Sequence, residues 1–322
     1  MSEKNSGQVE SRKFIADFSD GDQVREVFLV TECQERRTKD GSPYLTLTLA
    51  DKTGSIKAIL WSYIPDKENK VAKDQFALVR GVVGLYNNQP QLRLLSAKYH
   101  PEENVSLDDF LRTTEKDTGE LLAKIKSILS DVRDTDLKAL IDTFLGNGEF
   151  MSLFMRAPAA QTMHHAYIGG LLEHTHNTVR LCKAFSLIYP QVDGDLLVTG
   201  AFLHDIGKIR EYTYVRSFEF STIGRLKTHM LLGCEILRKH ISMTNGFPEK
   251  KAVKLEHMIL SHHGKKEWGS PVEPMFAEAN LLHFADNLDA KTCMFDEAKR
   301  SSGEGEEWSP YSRPLQRNVY LD

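Results

Sequence analysis

The apolar pattern of this chain changes period once, and no single layer of structure can serve both halves. Up to about residue 100 apolar residues alternate with polar ones in short runs broken by turn signals; beyond about residue 118 they recur at three- and four-residue spacing. Alternation gives a strand one apolar face and the longer spacing gives a helix one apolar stripe, so the chain has to build two different cores. At 322 residues it is long enough for both. The expected organisation is a disordered lead over residues 1–12, an all-β domain over 13–100, a linker over 101–117, an all-α domain over 118–300 and a polar tail over 301–322 that wraps or frays.

In the first half, Val24 to Arg36, Tyr44 to Ala50, Ser55 to Trp61, Phe76 to Leu85 and Gln91 to Ala97 read as strands. Turns fall at Asp40-Gly41, Asp51-Lys52-Thr53-Gly54 and Asn87-Asn88, and a polar helical connection is expected from Pro65 to Lys73. Five short strands with a helix between the third and fourth predict a Greek-key barrel of the OB type. If Leu45, Leu47, Leu49, Ile56, Ala58 and Leu60 point inward, then Tyr44, Thr46, Thr48, Lys57 and Trp61 point outward. Arg36, Arg37 and Lys39 are expected in the adjoining loop. Aromatic rings for bases and cations for phosphates are what a single strand of nucleic acid needs, so Arg36, Arg37, Lys39, Tyr44, Lys57 and Trp61 are candidate substrate contacts. An outward Tyr and Trp would serve equally well to pack against a second domain.

Net charge is −4, and the first 100 residues hold 15 Lys/Arg against 13 Asp/Glu, so a bound polyanion has to use a local basic patch or metal ions. Cys33, Cys182, Cys234 and Cys293 form no C-x-x-C pair, which argues against a thiolate zinc site or a disulfide frame. No apolar run approaches the roughly 18 to 20 residues of a membrane helix, and the first ten residues carry no apolar signal core. A cytoplasmic protein without membrane contact is expected.

The second half carries the chemistry. Helical periods run through Leu121 to Leu129 and Leu137 to Leu145, then about Gly170 to Tyr189, Asp195 to Asp205, Lys227 to Ser242, Pro248 to His263 and Pro274 to Lys299. Ligand-type residues recur at the ends or on the apolar faces of these helices: His174, His204, Asp205, His229, His262, His263 and Asp286. Asp205 closes the apolar run Gly200-Ala201-Phe202-Leu203, and Asp286 lies among Leu, Phe and Ala; a carboxylate in either place is destabilising unless a cation answers it. Nitrogen and oxygen donors without a thiolate point to Mn, Fe, Co or Mg, in one or two sites, more than to structural zinc. Lys208, one turn beyond His204, can neutralise a phosphate oxygen or simply sit at a helix end.

The stretches His164-His165-Ala166-Tyr167-Ile168-Gly169-Gly170-Leu171-Leu172-Glu173-His174, His204-Asp205-Ile206-Gly207-Lys208, His262-His263-Gly264 and Ala285-Asp286-Asn287-Leu288-Asp289-Ala290-Lys291 closely resemble the YhaM-type 3′-to-5′ exoribonucleases. In that family an OB-type domain precedes an HD-superfamily metal-dependent phosphohydrolase domain. No Gly-Tyr-Pro follows His262-His263, so the cyclic-dinucleotide phosphodiesterases of the superfamily fit poorly. The resemblance implies that His174, His204, Asp205 and Asp286 hold one metal, and that Asp205 bridges to a second held with His229, His262 and His263. It implies a manganese-preferring hydrolase that shortens single-stranded RNA, or single-stranded DNA, from the 3′ end to nucleoside 5′-monophosphates, and Asp205 and Lys208 are the candidate catalytic residues. The barrel would hold the strand upstream. His164 and His165 approach the substrate or cap the following turn, Asp289 is a candidate outer ligand, and His283 a candidate partner of Asp286. His100, His176, His240 and His257 are read as bystanders. Two other functions stay open: a phosphohydrolase of small nucleotides, and a non-catalytic regulator that binds single-stranded DNA. A homo-oligomer is compatible with all of them.

Overall fold

A computed structural model describes residues 12–61, 63, 71–87, 89–161, 165–214, 218–303 and 305–321, and the chain divides into two compact units after Arg112. In the first, β1 (Gln23–Arg37), β2 (Pro43–Asp51), β3 (Gly54–Leu60), β4 (Gln75–Tyr86) and β5 (Gln89–His100) close into a barrel in the order β1-β2-β3-β5-β4. β3 and β5 run parallel and the other neighbours antiparallel, the arrangement of an OB-type barrel. The alternation places its side chains as expected: Leu45, Leu47, Leu49, Ile56, Ala58 and Leu60 are buried with Phe28, Val79 and Leu92, whereas Lys57 and Trp61 are exposed.

Three expectations change here. β1 continues to Arg37, so Arg36 and Arg37 are strand residues, opposite Tyr44 and Pro43, and only Lys39 lies in the loop. The expected helix from Pro65 to Lys73 falls largely outside the described residues, and the part that is described, Val71 to Lys73, is not helical. The stretch expected as a linker joins the barrel unit as far as Arg112, because Phe110 is buried against Leu29 and Phe76, with the Phe76 and Phe110 rings 4.7 Å apart.

The second unit is helical: α1 (Thr118–Ser130), α2 (Thr135–Leu145), α3 (Gly148–Arg156), α4 (Gly170–Ile188), α5 (Gly194–Leu203), α6 (Lys208–Glu211), α7 (Thr222–Ser242), α8 (Glu249–Ser261) and α9 (Ala277–Arg300). A short hairpin of β6 (Tyr212–Thr213) and β7 (Glu219–Phe220) sits between α6 and α7. The start signals Asp117, Asp134, Asn147 and Asp193 each accept a backbone N–H of the following turn. α5 is the axis of the unit; Leu196 through Leu203 are all buried, and α4, α8 and α9 pack on it. α3, α6 and the hairpin were not anticipated. The tail wraps: Leu315, Val319 and Leu321 are buried against Ala298 and Met294 of α9. Among the described residues no helix is long and apolar enough to cross a membrane.

Candidate metal centre and nucleic-acid face

The seven ligand-type residues picked from the sequence lie together in the second unit. His174 comes from the second turn of α4, His204 and Asp205 from the end of α5, His229 from the middle of α7, His262 and His263 from the end of α8, and Asp286 from α9. Two groups of donor atoms form, His174 with His204 and Asp286, and His229 with His262 and His263, each within 4.8 Å. Asp205 stands between them. Its Oδ2 lies 3.5 Å from His174 Nε2 and 3.3 Å from His204 Nε2, while its Oδ1 lies 3.5 Å from both His229 Nε2 and His262 Nε2.

Every imidazole is aimed by its far nitrogen. His204 Nδ1 faces Ala201 O at 2.8 Å, His262 Nδ1 faces Ile259 O at 2.7 Å, and His263 Nδ1 faces Trp268 O at 3.2 Å. His174 Nδ1 meets Asp289 Oδ2 at 2.7 Å and His229 Nδ1 meets Glu211 Oε1 at 3.1 Å. Carbonyl and carboxylate oxygens only accept, so each Nδ1 carries a proton, and the Nε2 of each ring that is neutral turns its lone pair to the centre.

Those inward atoms need a cation. Asp205 Oδ1, His229 Nε2 and His262 Nε2 are buried with no hydrogen-bond partner among the described residues, and none of the three has a proton to give. Their 3.5 Å separations approach the about 3.0 to 3.4 Å between neighbouring ligands that each lie about 2.1 Å from one ion. An all-N/O set suits a divalent first-row metal. In the other group, burial would lower the pKa of His174, but hydrogen bonds and charge from Asp286 and Asp289 push it up to about 10. A proton thus settles where the charge of a cation would. Burial, helped by the His262 and His229 rings, pushes His263 down to about 2, so this ring stays neutral and able to ligate.

A supporting layer surrounds the cluster. Asp289 Oδ2 also takes His165 Nε2 at 2.9 Å, and Asn177 Nδ2 donates to Asp289 Oδ1 at 2.8 Å. Burial favours the neutral acid, but the His165 and His174 hydrogen bonds hold Asp289 well below the usual carboxylate range. His165, expected to approach the substrate or cap a turn, is instead buried behind His174, its Nδ1 on the Tyr167 hydroxyl at 2.7 Å. His164 lies outside the described residues. Lys208 is buried and donates to Asp205 Oδ2 at 2.6 Å. His283 donates to His262 O at 2.8 Å, so it supports the turn after α8 rather than Asp286.

Glu211 was missed. Its Oε1 accepts the His229 backbone N–H at 2.7 Å as well as the ring, where Thr228 (φ 61°, ψ 159°) breaks α7 and starts a new helical segment. Glu211 precedes His229 by 18 residues with the hairpin between them, and no local pattern marks the pair. Gly207 permits this approach: a Cβ there would fall 1.8 Å from His229 O. Of the bystanders, His240 stacks on Phe144 at 3.8 Å and His257 Nε2 accepts the Met275 N–H.

On the barrel, Tyr44 and Trp61 stack on each other, 4.8 Å apart at 27°, and present one broad aromatic surface instead of two separate platforms. Arg36 lies directly across from Tyr44 on the same face, whereas Arg37 points to the other and donates to Gly41 O at 3.1 Å. Lys57 and Thr48 line a groove of about 610 Å³ with Tyr86, Asn87 and Gln91 of the β4–β5 hairpin. That hairpin contribution was not read from the sequence.

A family model described as the HD domain matches residues 171–291, the span that carries all seven donors. The chain is 36% identical over 287 residues to the 3′-5′ exoribonuclease YhaM of Bacillus velezensis, covering 89% of this chain and 90% of that one. Its identity to the protein of the same name from Bacillus subtilis is 34%, with the same coverage. To that of a Geobacillus species it is 34% over 295 residues, 91% of this chain and 90% of that one.

Proposed function

The chain belongs to the YhaM family of 3′-5′ exoribonucleases, and from that premise we propose that it shortens single-stranded RNA from the 3′ end to nucleoside 5′-monophosphates at a centre of two divalent cations, manganese favoured. It is a phosphodiester hydrolase with an HD domain. One ion is assigned to His174, His204, Asp205 and Asp286, the other to Asp205, His229, His262 and His263. The observation that carries the assignment is the set of buried, proton-less atoms, Asp205 Oδ1, His229 Nε2 and His262 Nε2, directed at one point.

Divalent cations held there supply Lewis acidity at phosphate and a water nucleophile at neutral pH. The chain's own groups do the rest. Asp205 couples the two halves through its two oxygens. Lys208, held beside Asp205, brings a fixed positive charge to the non-bridging phosphate oxygens, where charge builds during displacement. The five Nδ1 anchors keep the rings from turning. On the barrel, the Tyr44–Trp61 surface receives a base, and Arg36, Lys39 and Lys57 meet phosphates.

Degradation of 5′- and 3′-labelled oligoribonucleotides with Mn, Mg or chelator tests this reading. A ladder shortening from the 3′ end, release of 5′-monophosphates and loss of activity in chelator are the expected results. Cleavage of free nucleotides without a ladder would replace it with a small-nucleotide phosphohydrolase, and parallel oligodeoxynucleotides decide between RNA and DNA.

A further inference from the structure

Beyond Asp286 along α9 lies a surface that the proposed chemistry does not use. A cavity of about 730 Å³ opens between the Lys266–Trp268 turn, one flank of α9 and the tail, with Trp268, Asn287, Lys291, Phe295, Gln316 and Arg317 on its wall. One link ties it to the donor cluster: the Trp268 carbonyl is the acceptor that aims His263.

Its chemistry is mixed in a particular way. The Trp268 side chain is 44% exposed, and the ammonium groups of Lys265 and Lys291 lie 4.8 and 5.8 Å from its ring centre, on stems long enough to turn to another partner. Arg317 is exposed on the tail side, and the acidic Glu267 is met by Lys265 at 3.6 Å. Phe284, Leu288 and Phe295 leave an apolar strip exposed along the same face of α9 as Lys291. A flat ring, cations, an amide and apolar floor are what one nucleotide unit requires: a π face for the base, charge for the phosphate, a polar group for the base edge.

Resting on the exonuclease reading, we propose that this cavity is the subsite for the nucleotide immediately upstream of the scissile phosphate. Its base stacks on Trp268 and its own 5′-phosphate is met by Lys291 and Arg317. The departing 3′-terminal unit has a single phosphate, and that one belongs at the donor cluster. The cations of the cavity therefore answer the next phosphate upstream. The tail becomes a wall of the substrate site, anchored by Leu315 and Val319 and turned toward the cavity at Gln316, whose φ of 54° is unusual outside glycine.

The test compares kcat/KM of the full chain on pApA, ApA and adenosine 5′-(methyl phosphate), in which methyl replaces the upstream nucleoside. The wild type is expected to favour pApA over ApA, and ApA over the methyl ester, by about tenfold each. Arg317→Gln and Lys291→Gln should bring the first ratio towards one. Trp268→Leu should do so for the second, while Trp268→Phe retains it. A ratio taken within one preparation is unaffected by partial misfolding, so variant ratios equal to wild type overturn the subsite. Equilibrium binding of radiolabelled pApA in EDTA adds a measurement independent of turnover. Affinity lost about tenfold in Trp268→Leu and Arg317→Gln sustains the cavity even if no RNA is cut, an outcome that would sink the nuclease reading alone. Equal affinity in all three proteins sinks the cavity.

Discussion

The two halves of the donor cluster hold themselves together differently. In the half made by His174, His204 and Asp286, the groups satisfy one another: His174 Nε2 lies 3.1 Å from Asp286 Oδ1 and 3.1 Å from His204 Nε2, with Asp289 behind. In the half made by His229, His262 and His263, the rings are aimed just as firmly from behind, yet among the described residues the inward nitrogens of His229 and His262 meet no donor. One half is closed by its own short contacts; in the other the facing atoms stand 3.5 Å from Asp205 Oδ1, and a cation would draw them together. Two donor sets that differ by one carboxylate are therefore expected to respond differently to stripping, the first keeping its shape and the second depending on loading.

The largest expected effect removes the element common to both. Asp205→Ala should lower kcat by about a thousandfold or more and deplete both ions in metal analysis of the purified protein, while oligonucleotide binding stays largely intact. Full activity in that variant would end the metal assignment. Next come the two carboxylates behind the rings. Asp289→Asn and Glu211→Gln should each weaken metal affinity or activity about 10- to 100-fold, and titration should place the loss in a different half for each. If both variants lose the same ion, the division into halves is wrong. Chelation sharpens the contrast further. EDTA should lower the thermal midpoint by about 5 to 15 °C, and hydrogen exchange should rise first around His229 and the end of α8 rather than in α4. The smallest effect belongs to the barrel: Trp61→Ala should raise KM for long RNA about five- to tenfold and change it little for dinucleotides. Equal changes on both would take the barrel out of substrate handling.

How far the sequence could be read follows from what each residue owes to its neighbours in the chain. His204 and Asp205 were legible because a polar pair interrupts an apolar run that α5 buries completely, and Asp286 for the same reason in α9. The barrel's inward and outward residues follow from alternation alone. Glu211 and the break at Thr228 were not legible, since the first acts across 18 residues and the second is a backbone turn forced where a carboxylate caps a new helical segment. His165 sat inside a recognisable stretch, but its role depends on Asp289, 124 positions away. Arg36 and Arg37 look alike in sequence, and only the register against Tyr44 and Pro43 separates the one on the aromatic face from the one behind it.

His204 and His262 take their aim from carbonyls three residues back in the very helices they terminate, Ala201 and Ile259. Their direction is thus set by main chain and not by any neighbouring side chain. Substitutions can accumulate around these two rings without turning them, whereas His174 and His229, steered by Asp289 and Glu211, are hostage to a single distant mutation. Fragility in this centre is concentrated in two carboxylates that stand behind the rings they steer.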